Sequence, residues 1–183
     1  EDGLPGFRGH AFLAQVQPQQ APSFTSFCYP GSIPGHTFAV TGAGLVQAVN
    51  NLRLTGFIPA IPRMVLGRAV LGCTALDEAL ALLQDDPRSG GFHMSLAQTG
   101  DPRLMSVEYG AGQTSLRRIT EPACHANHAL HLNMPQSVTD SSRDRQVKGL
   151  AGLGRGPRAV LRDAQGPGLP IFRIAPDDPD DEN

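Results

Sequence analysis

Histidine and asparagine residues are concentrated in the segment His125-Ala126-Asn127-His128. An asparagine amide is neutral and carries two N–H bonds, so it can donate hydrogen bonds to the negative charge that develops on a carbonyl oxygen during acyl transfer. If the segment ends a strand, alternation places His125 and Asn127 on one face and His128 on the other. Asn127 is therefore a candidate oxyanion donor. The alternatives are an asparagine in a turn and a buried histidine with a satisfied hydrogen bond.

Three histidines, His125, His128 and His131, recur every three residues. This spacing can bring imidazoles to one face of a helix and so form a metal site. No carboxylate or cysteine at a familiar spacing supports zinc, apart from the adjacent Cys124. We therefore predict no metal and no other cofactor.

The chain contains three cysteines, Cys28, Cys73 and Cys124. A thiol hydrolase using Cys28 would need a histidine within hydrogen-bond reach of its sulfur, but Cys28 lies between aromatic residues without a glycine elbow or helix N-terminus to activate it. We expect all three side chains to pack as small apolar groups. Their odd number and their spacing, which contains no CxxC pair, favour a reducing, cytoplasmic location.

Two further polar clusters are candidates for substrate binding. Asn50-Asn51-Leu52-Arg53 ends a predicted strand with two amides and a guanidinium, which match a substrate carboxylate or amide but also suit an edge-strand turn. The segment from Asp140 to Arg145 reads as a helix N-cap with a salt-bridged first turn. Alternatively, its arginines hold a substrate anion or organise a carboxylate at a pocket rim.

The composition indicates a single globular domain over residues 1–183. Apolar residues make up 40% of the chain and charged residues 17%, which is enough to bury a core. The formal net charge is −2 with both signs interspersed, which argues against nucleic acid as a partner. No run approaches 18 apolar residues, so we predict no membrane partner. The oligomeric state is left open.

Hydrophobic periodicity predicts strands, then helices, then more strands. Period-two segments lie at 10–16, 24–29, 36–41 and 45–51, and again at 92–98, 103–109 and 114–119. Between them, one helical segment begins at Pro62, and a second begins at Thr74 with Asp77 as its capping carboxylate. A last helix is predicted over 143–153 with its cap at 140–142. Because the helices are grouped and do not alternate with strands, an α+β domain is favoured over a parallel fold.

Seven short motifs follow one another along nearly the whole chain. They are, in order, Glu1-Asp2-Gly3, Tyr29-Pro30-Gly31-Ser32-Ile33-Pro34-Gly35-His36, Gly44-Leu45-Val46-Gln47-Ala48-Val49-Asn50-Asn51, Phe92-His93, His125-Ala126-Asn127-His128, Asp140-Ser141-Ser142 and Asp180-Asp181-Glu182-Asn183. This ordered set resembles the bacterial isopenicillin-N-acyltransferase-like family. That family belongs with the N-terminal nucleophile (Ntn) hydrolases, alongside bile-salt hydrolases and acid-ceramidase-type amidases.

The resemblance implies an αββα sandwich and an autoproteolytic amide hydrolase or acyltransferase with a cysteine nucleophile. By the same comparison Asn127 matches the oxyanion asparagine, and Asn50 or Asn51 a substrate-contacting asparagine. Asp2 would orient the amino group of the nucleophile, and Arg145, or else Arg143, would bind substrate.

None of the three cysteines matches the family's nucleophile, so the resemblance implies an internal piece, incomplete at both ends and catalytically inactive. The implied substrate is a small N-acyl compound, either an amide or a thioester such as an acyl-CoA. The alternative is a non-catalytic binding or structural domain of the same fold.

Overall fold

The computed structural model describes Phe7 and residues 9–85 and 88–173. The predicted site residue Asp2 and the terminal Asp-Asp-Glu-Asn motif lie outside the described residues. No helix within the described part of the chain is both long and apolar enough to cross a bilayer.

Seven strands form one antiparallel sheet in the order β1-β2-β3-β4-β7-β8-β9. Their lengths and positions follow the period-two segments of the sequence, with ends that differ by a few residues. The strands are β1 (Phe12–Val16), β2 (Phe24–Cys28), β3 (Ala39–Thr41), β4 (Leu45–Leu52), β7 (Gly91–Gln98), β8 (Leu104–Gly110) and β9 (Gln113–Arg118). Two short strands, β5 (Ile61–Pro62) and β6 (Arg88–Ser89), pair in parallel beside it. The predicted α+β class is confirmed.

Two helices cover one face of the sheet. They are α1 (Arg63–Val70) and α2 (Leu76–Gln84), and their apolar residues share a core with alternate residues of β4, β7 and β8. The carboxylate that caps α2 is Glu78, which accepts the backbone N–H groups of Thr74 and Ala75 at 2.7 and 3.3 Å. The prediction of Asp77 in this role is wrong, because Asp77 pairs with Arg103 at 2.8 Å.

The opposite face is covered at one end by an irregular segment over 119–139. Leu52 and Leu54 pack there against Ala129 and Leu132 in a second small core. The His-x-Asn-His motif lies in this irregular segment and does not end a strand, which was one of the alternatives that the sequence left open. The segment is irregular because its backbone groups bond to side chains of other elements, which are described below.

The third helix, α3 (Asp140–Ala151), packs against this irregular segment and is followed by a 3-10 turn (Leu153–Arg155) and α4 (Pro157–Leu161). Its N-cap is Thr139, whose hydroxyl accepts the backbone N–H of Ser142 at 3.2 Å. The predicted cap at Asp140 was one residue too late. The whole Asp-Ser-Ser motif consequently lies inside the first helical turn.

Candidate active site

A cavity of about 410 Å³ lies where β4 ends, between α1 and the irregular segment. Four of the five residues singled out in the sequence line it: Asn50, Asn51, Asn127 and Arg145. These residues come from β4, the irregular segment and α3, so the fold brings together groups up to 95 positions apart in the chain. Their roles depend on which of their hydrogen-bonding atoms are already engaged.

The amide of Asn127 is held at both ends. Its Oδ1 accepts a hydrogen bond from Arg145 Nη1 at 2.9 Å, and its Nδ2 donates to the carbonyl oxygen of Asn51 at 3.1 Å. Because a guanidinium can only donate, the bond to Arg145 fixes which end of the amide is oxygen. Nδ2 carries two N–H bonds, and the second has no acceptor among the described residues. Asn127 therefore presents one oriented donor in the cavity.

Helix α3 fixes the backbone on either side of Asn127. Ser142 Oγ accepts the N–H of Asn127 at 2.9 Å and lies 2.7 Å from His128 Nδ1. One turn later, the Gln146 amide accepts the N–H of Ala126 and donates to the carbonyl of Cys124, both at 2.8 Å. These side chains replace a strand ladder as partners for the backbone, which explains why the motif is irregular.

The adjacent amides of Asn50 and Asn51 point to opposite faces of the sheet and have different partners. Asn50 Nδ2 donates to the carbonyl oxygens of His125 and Ala126 at 2.7 and 3.1 Å, so its donors hold the irregular segment. Asn51 Oδ1 instead accepts from Arg63 Nη1 at 2.5 Å, and its Nδ2 has no acceptor among the described residues. Of the two alternatives for substrate contact, the geometry favours Asn51.

A buried carboxylate, Glu108 on β8, holds the irregular segment against the sheet. Its side chain is 0% exposed and accepts the backbone N–H groups of residues 130, 131 and 132 at 2.6, 2.9 and 2.5 Å, together with His125 Nε2 at 2.7 Å. Burial raises the pKa of Glu108, but these hydrogen bonds outweigh burial and hold the pKa at about 2. Glu108 is therefore an anion at neutral pH.

Three polar residues lie side by side across the sheet. His93 on β7 pairs in register with Asn50 on β4 and with Glu108 on β8. The His93 ring stacks on His125 at 3.4 Å between centroids, and its Nε2 lies 2.9 Å from Ser106 Oγ. Burial is the main reason why the pKa of His93 lies at about 3, and His125 lowers it further. A neutral His93 therefore fills the space between the sheet and the His-x-Asn-His motif.

Most of the remaining cavity wall is aromatic, apolar or basic. Phe92 lies beside His36, with ring centroids 5.3 Å apart, and the lining includes the apolar residues Val49, Val160, Leu161 and Ile171. Burial, and then the positive charge of Arg63, lower the pKa of His36, so this imidazole is neutral at pH 7. No group of histidines, cysteines and carboxylates in the described part of the chain is arranged to hold a metal ion.

Comparison with protein families matches residues 1–149 to acyl-coenzyme A:6-aminopenicillanic acid acyl-transferase. This match covers most of the 183 residues. The chain belongs to the acyl-coenzyme A:6-aminopenicillanic acid acyl-transferase family. The family resemblance seen in the sequence motifs is thereby confirmed.

Two further comparisons complete the picture. Among solved structures, penicillin V acylase from Agrobacterium tumefaciens aligns with a TM-score of 0.41 at 17% sequence identity. That alignment covers 59% of this chain and 40% of the acylase chain, so the chain spans less than half the length of that relative. No curated protein is significantly similar to the chain.

The three cysteines of this acyl-transferase family member are poor nucleophiles in their present surroundings. Cys28 is fully buried, and its Sγ contacts the carbonyl of Ser26 at 3.7 Å. Burial raises the pKa of Cys73 and of Cys124. Cys124 does line the cavity, but the neighbouring His125 ring bonds to Glu108 and to the carbonyl of Ala126. No described histidine is hydrogen-bonded to any of the three thiols.

Sequence reasoning missed two residues of the site, Glu108 and Arg63. Glu108 follows apolar residues in a strand, where a single carboxylate is normally read as facing solvent. Arg63 occupies the first position of a helix, where a basic residue is unfavourable because of the helix dipole. The unfavourable position of the Arg63 charge was the one feature of the sequence that could have indicated a functional role for this residue.

Proposed function

We propose that this domain forms the oxyanion-stabilising and substrate-binding part of a cysteine-dependent Ntn amide hydrolase or acyltransferase. The observation that carries the proposal is the Asn127 amide, oriented by Arg145 and Asn51 in a cavity with apolar walls. A preorganised neutral donor of this kind stabilises the charge that develops on a carbonyl oxygen. Family membership supports the same class of reaction.

The reaction proceeds through an acyl-enzyme. A cysteine thiol gives its proton to its own α-amino group and attacks the carbonyl carbon of an amide or thioester. The carbonyl oxygen becomes an oxyanion that accepts a hydrogen bond from Asn127 Nδ2. The carbon–nitrogen or carbon–sulfur bond then breaks, the leaving group takes the proton, and water or an amine accepts the acyl group. Asp2 is proposed to orient the α-amino group.

The nucleophile is proposed to be a cysteine other than Cys28, Cys73 and Cys124, because none of these three thiols is hydrogen-bonded to a histidine among the described residues. Incubation of the chain with a chromogenic N-acyl amide should therefore leave all three unmodified, as measured by intact mass and peptide mapping. A stoichiometric acyl adduct on Cys28 or Cys124 would contradict this part of the proposal.

The alternative is a non-catalytic binding domain. It would be favoured if the protein expressed from its gene bound the amide without turning it over.

The role of Asn127 is tested in the protein expressed from its gene by release of the amine. We expect Asn127→Ala to lower kcat/KM by roughly 10²- to 10³-fold, the cost of removing one oxyanion donor. Asn133→Ala is the matched control, since Asn133 is exposed in the same irregular segment. Equal activities of the two variants would show that Asn127 is not the oxyanion donor.

A further inference from the structure

Both ring nitrogens of His125 face groups that only accept hydrogen bonds. Nε2 lies 2.7 Å from Glu108 Oε1, and Nδ1 lies 2.7 Å from the carbonyl oxygen of Ala126. The carboxylate accepts at both of its oxygens, because its other contacts are the backbone N–H groups of residues 130, 131 and 132. A neutral imidazole has one N–H donor and one bare nitrogen, so it satisfies only one of these two acceptors.

The amide of Asn50 is the described donor that lies close to Nδ1, at 3.4 Å. Its Nδ2 carries two N–H bonds, and they are engaged by the carbonyl oxygens of His125 and Ala126 at 2.7 and 3.1 Å. Neither N–H is left for a bare Nδ1. The lone pair of such a nitrogen would face the lone pairs of the Ala126 oxygen at 2.7 Å, which is repulsive. An imidazolium, which donates from both nitrogens, satisfies all of these contacts.

The surroundings of His125 include one carboxylate, Glu108, and several basic groups. The Glu108 side chain is 0% exposed and that of His125 is 10% exposed, so water screens their attraction only weakly. The stacked His93 on β7 stays neutral, because burial and then the charge of His125 hold its pKa at about 3. The other basic groups facing this cluster, from the same segment, α3 and β9, are His128, His131, Arg143, Arg145 and Arg117. Burial is the main cause that lowers the pKa of His128 and of His131.

The proton on Nδ1 acts on the peptide bond that precedes Asn127. The carbonyl oxygen of this peptide accepts from His125 Nδ1 and from Asn50 Nδ2, and its N–H donates to Ser142 Oγ at 2.9 Å. Because the peptide is planar and held at both ends, its rotation is fixed, and this rotation sets the direction of the Asn127 side chain. Removal of the Nδ1 proton replaces one of these hydrogen bonds by a repulsion.

We propose that His125 is an imidazolium paired with Glu108, and that this ion pair positions Asn127 only while Nδ1 keeps its proton. The role for Asn127 rests on the proposed function, whereas the charge of His125 does not. His125 acts through the Ala126 peptide, so it is a positioning residue. Its proton should therefore affect kcat, through the oxyanion donor, and leave KM nearly unchanged.

The charge of His125 is measured by long-range ¹H–¹⁵N correlation NMR of the protein labelled at its histidines. The two nitrogens of an imidazolium have nearly equal chemical shifts, whereas the protonated and bare nitrogens of a neutral ring are well separated. The stacked ring of His93 identifies the His125 signals through space. At pH 7 we expect two protonated nitrogens in His125 and one in His93. A neutral His125 at pH 7 would overturn the proposal.

The positioning role is measured by release of the amine from an N-acyl amide, as a function of pH, in the protein expressed from its gene. Wild-type kcat should decrease on the alkaline side at the midpoint where NMR shows His125 losing its proton. His125→Gln keeps a donor for Glu108 but has no second donor for the Ala126 carbonyl. It should lower kcat by roughly tenfold and abolish this decrease. The same pH profile in variant and wild type would overturn the role, and if the variant does not fold, different midpoints for NMR and kcat would do so.

His131→Gln is the matched control. His131 lies in the same segment with its side chain 5% exposed, but its ring nitrogens face the hydroxyl groups of Ser115 and Ser106 at 2.8 and 3.0 Å. A hydroxyl can donate as well as accept, so this ring needs no second proton. The variant should be less stable and keep the alkaline decrease of kcat. Loss of that decrease in both variants would assign it to disturbance of the segment and overturn the proposal.

Failure of the proposed function is recognised separately. If Asn127→Ala has no effect on turnover while NMR shows an imidazolium at His125, the ion pair with Glu108 is upheld. The oxyanion role of Asn127, and the positioning role that depends on it, would then be contradicted.

Discussion

Arg145 has two possible roles at the site, and the structure connects it to one of them through Asn127. Its Nη1 bonds to Asn127 Oδ1, and its Nε donates to Ser141 Oγ at 3.1 Å. The sequence resemblance assigned Arg145 to substrate binding, which stays a prediction. If Arg145 acts by orienting Asn127, its removal should have no further effect once Asn127 has been truncated.

A double-mutant cycle separates the two roles of Arg145. We expect Arg145→Gln to lower kcat/KM by roughly tenfold or more, and the double variant with Asn127→Ala to be no worse than Asn127→Ala alone. The exposed Arg143, which pairs with Asp140, provides the control variant Arg143→Gln. If the double variant instead loses kcat/KM by the product of the two single fold-changes, Arg145 contacts the substrate directly.

Glu108 sets a pH limit on the stability of the site. Its pKa lies at about 2 in the folded protein and near 4.5 in the unfolded chain, so its contribution is present above pH 4.5 and is lost as the pH falls through 2. The linkage amounts to roughly 3 kcal/mol. This contribution belongs to a single side chain that holds three backbone N–H groups and one imidazole.

We predict that Glu108→Gln lowers the free energy of unfolding at pH 7 by about 2 to 4 kcal/mol, because a neutral amide cannot accept all four hydrogen bonds. Urea unfolding between pH 2 and 7 measures this loss and should also show a flatter dependence on pH below 4.5. Glu121→Gln, at an exposed position, is the control. If the free energy of unfolding depended on pH in the same way for Glu108→Gln and the wild type, Glu108 would not be the source of this pH dependence.

At the scale of elements, α3 holds the irregular segment because the two approach very closely at Gly149. A Cβ at this position would overlap the Sγ atom of Cys124 and would lie 3.2 Å from its Cβ. Glycine inside a helix lowers helix stability by about 1 kcal/mol relative to alanine. The close packing therefore explains a residue that helix propensity alone disfavours.

We predict that Gly149→Ala destabilises the protein by about 1 to 3 kcal/mol despite its gain in helix propensity. The control is Gly154→Ala in the 3-10 turn, where a Cβ would meet no atom within 4 Å. That control should be neutral or slightly stabilising. Thermal unfolding checks both variants, and adding Cys124→Ala to Gly149→Ala should recover part of the loss. Unchanged stability of Gly149→Ala would show that α3 is free to shift.

At the scale of the whole molecule, part of the second sheet face carries exposed apolar side chains. Five side chains of this face, on β1, β3, β4 and β8 or directly before β3, are between 44% and 65% exposed: Leu13, Phe38, Val40, Val46 and Leu104. The irregular segment covers only the other end of this face. An apolar patch on an open sheet favours association of the described domain with further apolar surface.

We expect the chain to self-associate with increasing concentration, and Val40→Lys to weaken that association by placing a charge in the patch. Val65→Lys is the control, since Val65 is 47% exposed like Val40 but lies on α1, in the helical layer. Sedimentation velocity over a range of concentrations measures the effect. Equal association of the two variants would place the contact outside this sheet face.

The regular elements were predictable because their signals are local. Alternation over 45–51 and 92–98 reflects which side chains face the helical core, and the hairpin between β3 and β4 follows from its short glycine-containing connection. The cap at Thr139 and the capping carboxylate at Glu78 were each placed wrongly by one residue. Several polar residues stand together at both helix starts, and only the final backbone path selects one of them.

By itself, the sequence determined the α+β class, the family and the candidate residues Asn50, Asn51, Asn127 and Arg145. Tertiary structure decided which partners hold each of these residues. The choice between Asn50 and Asn51 depends on which sheet face meets α1, and the shape of the His-x-Asn-His segment depends on Glu108, Ser142 and Gln146. These partners lie 15 to 24 positions away from the groups they hold, so no local pattern encodes them. A buried charge becomes favourable only when distant donors converge on it, and that convergence is a property of the folded chain.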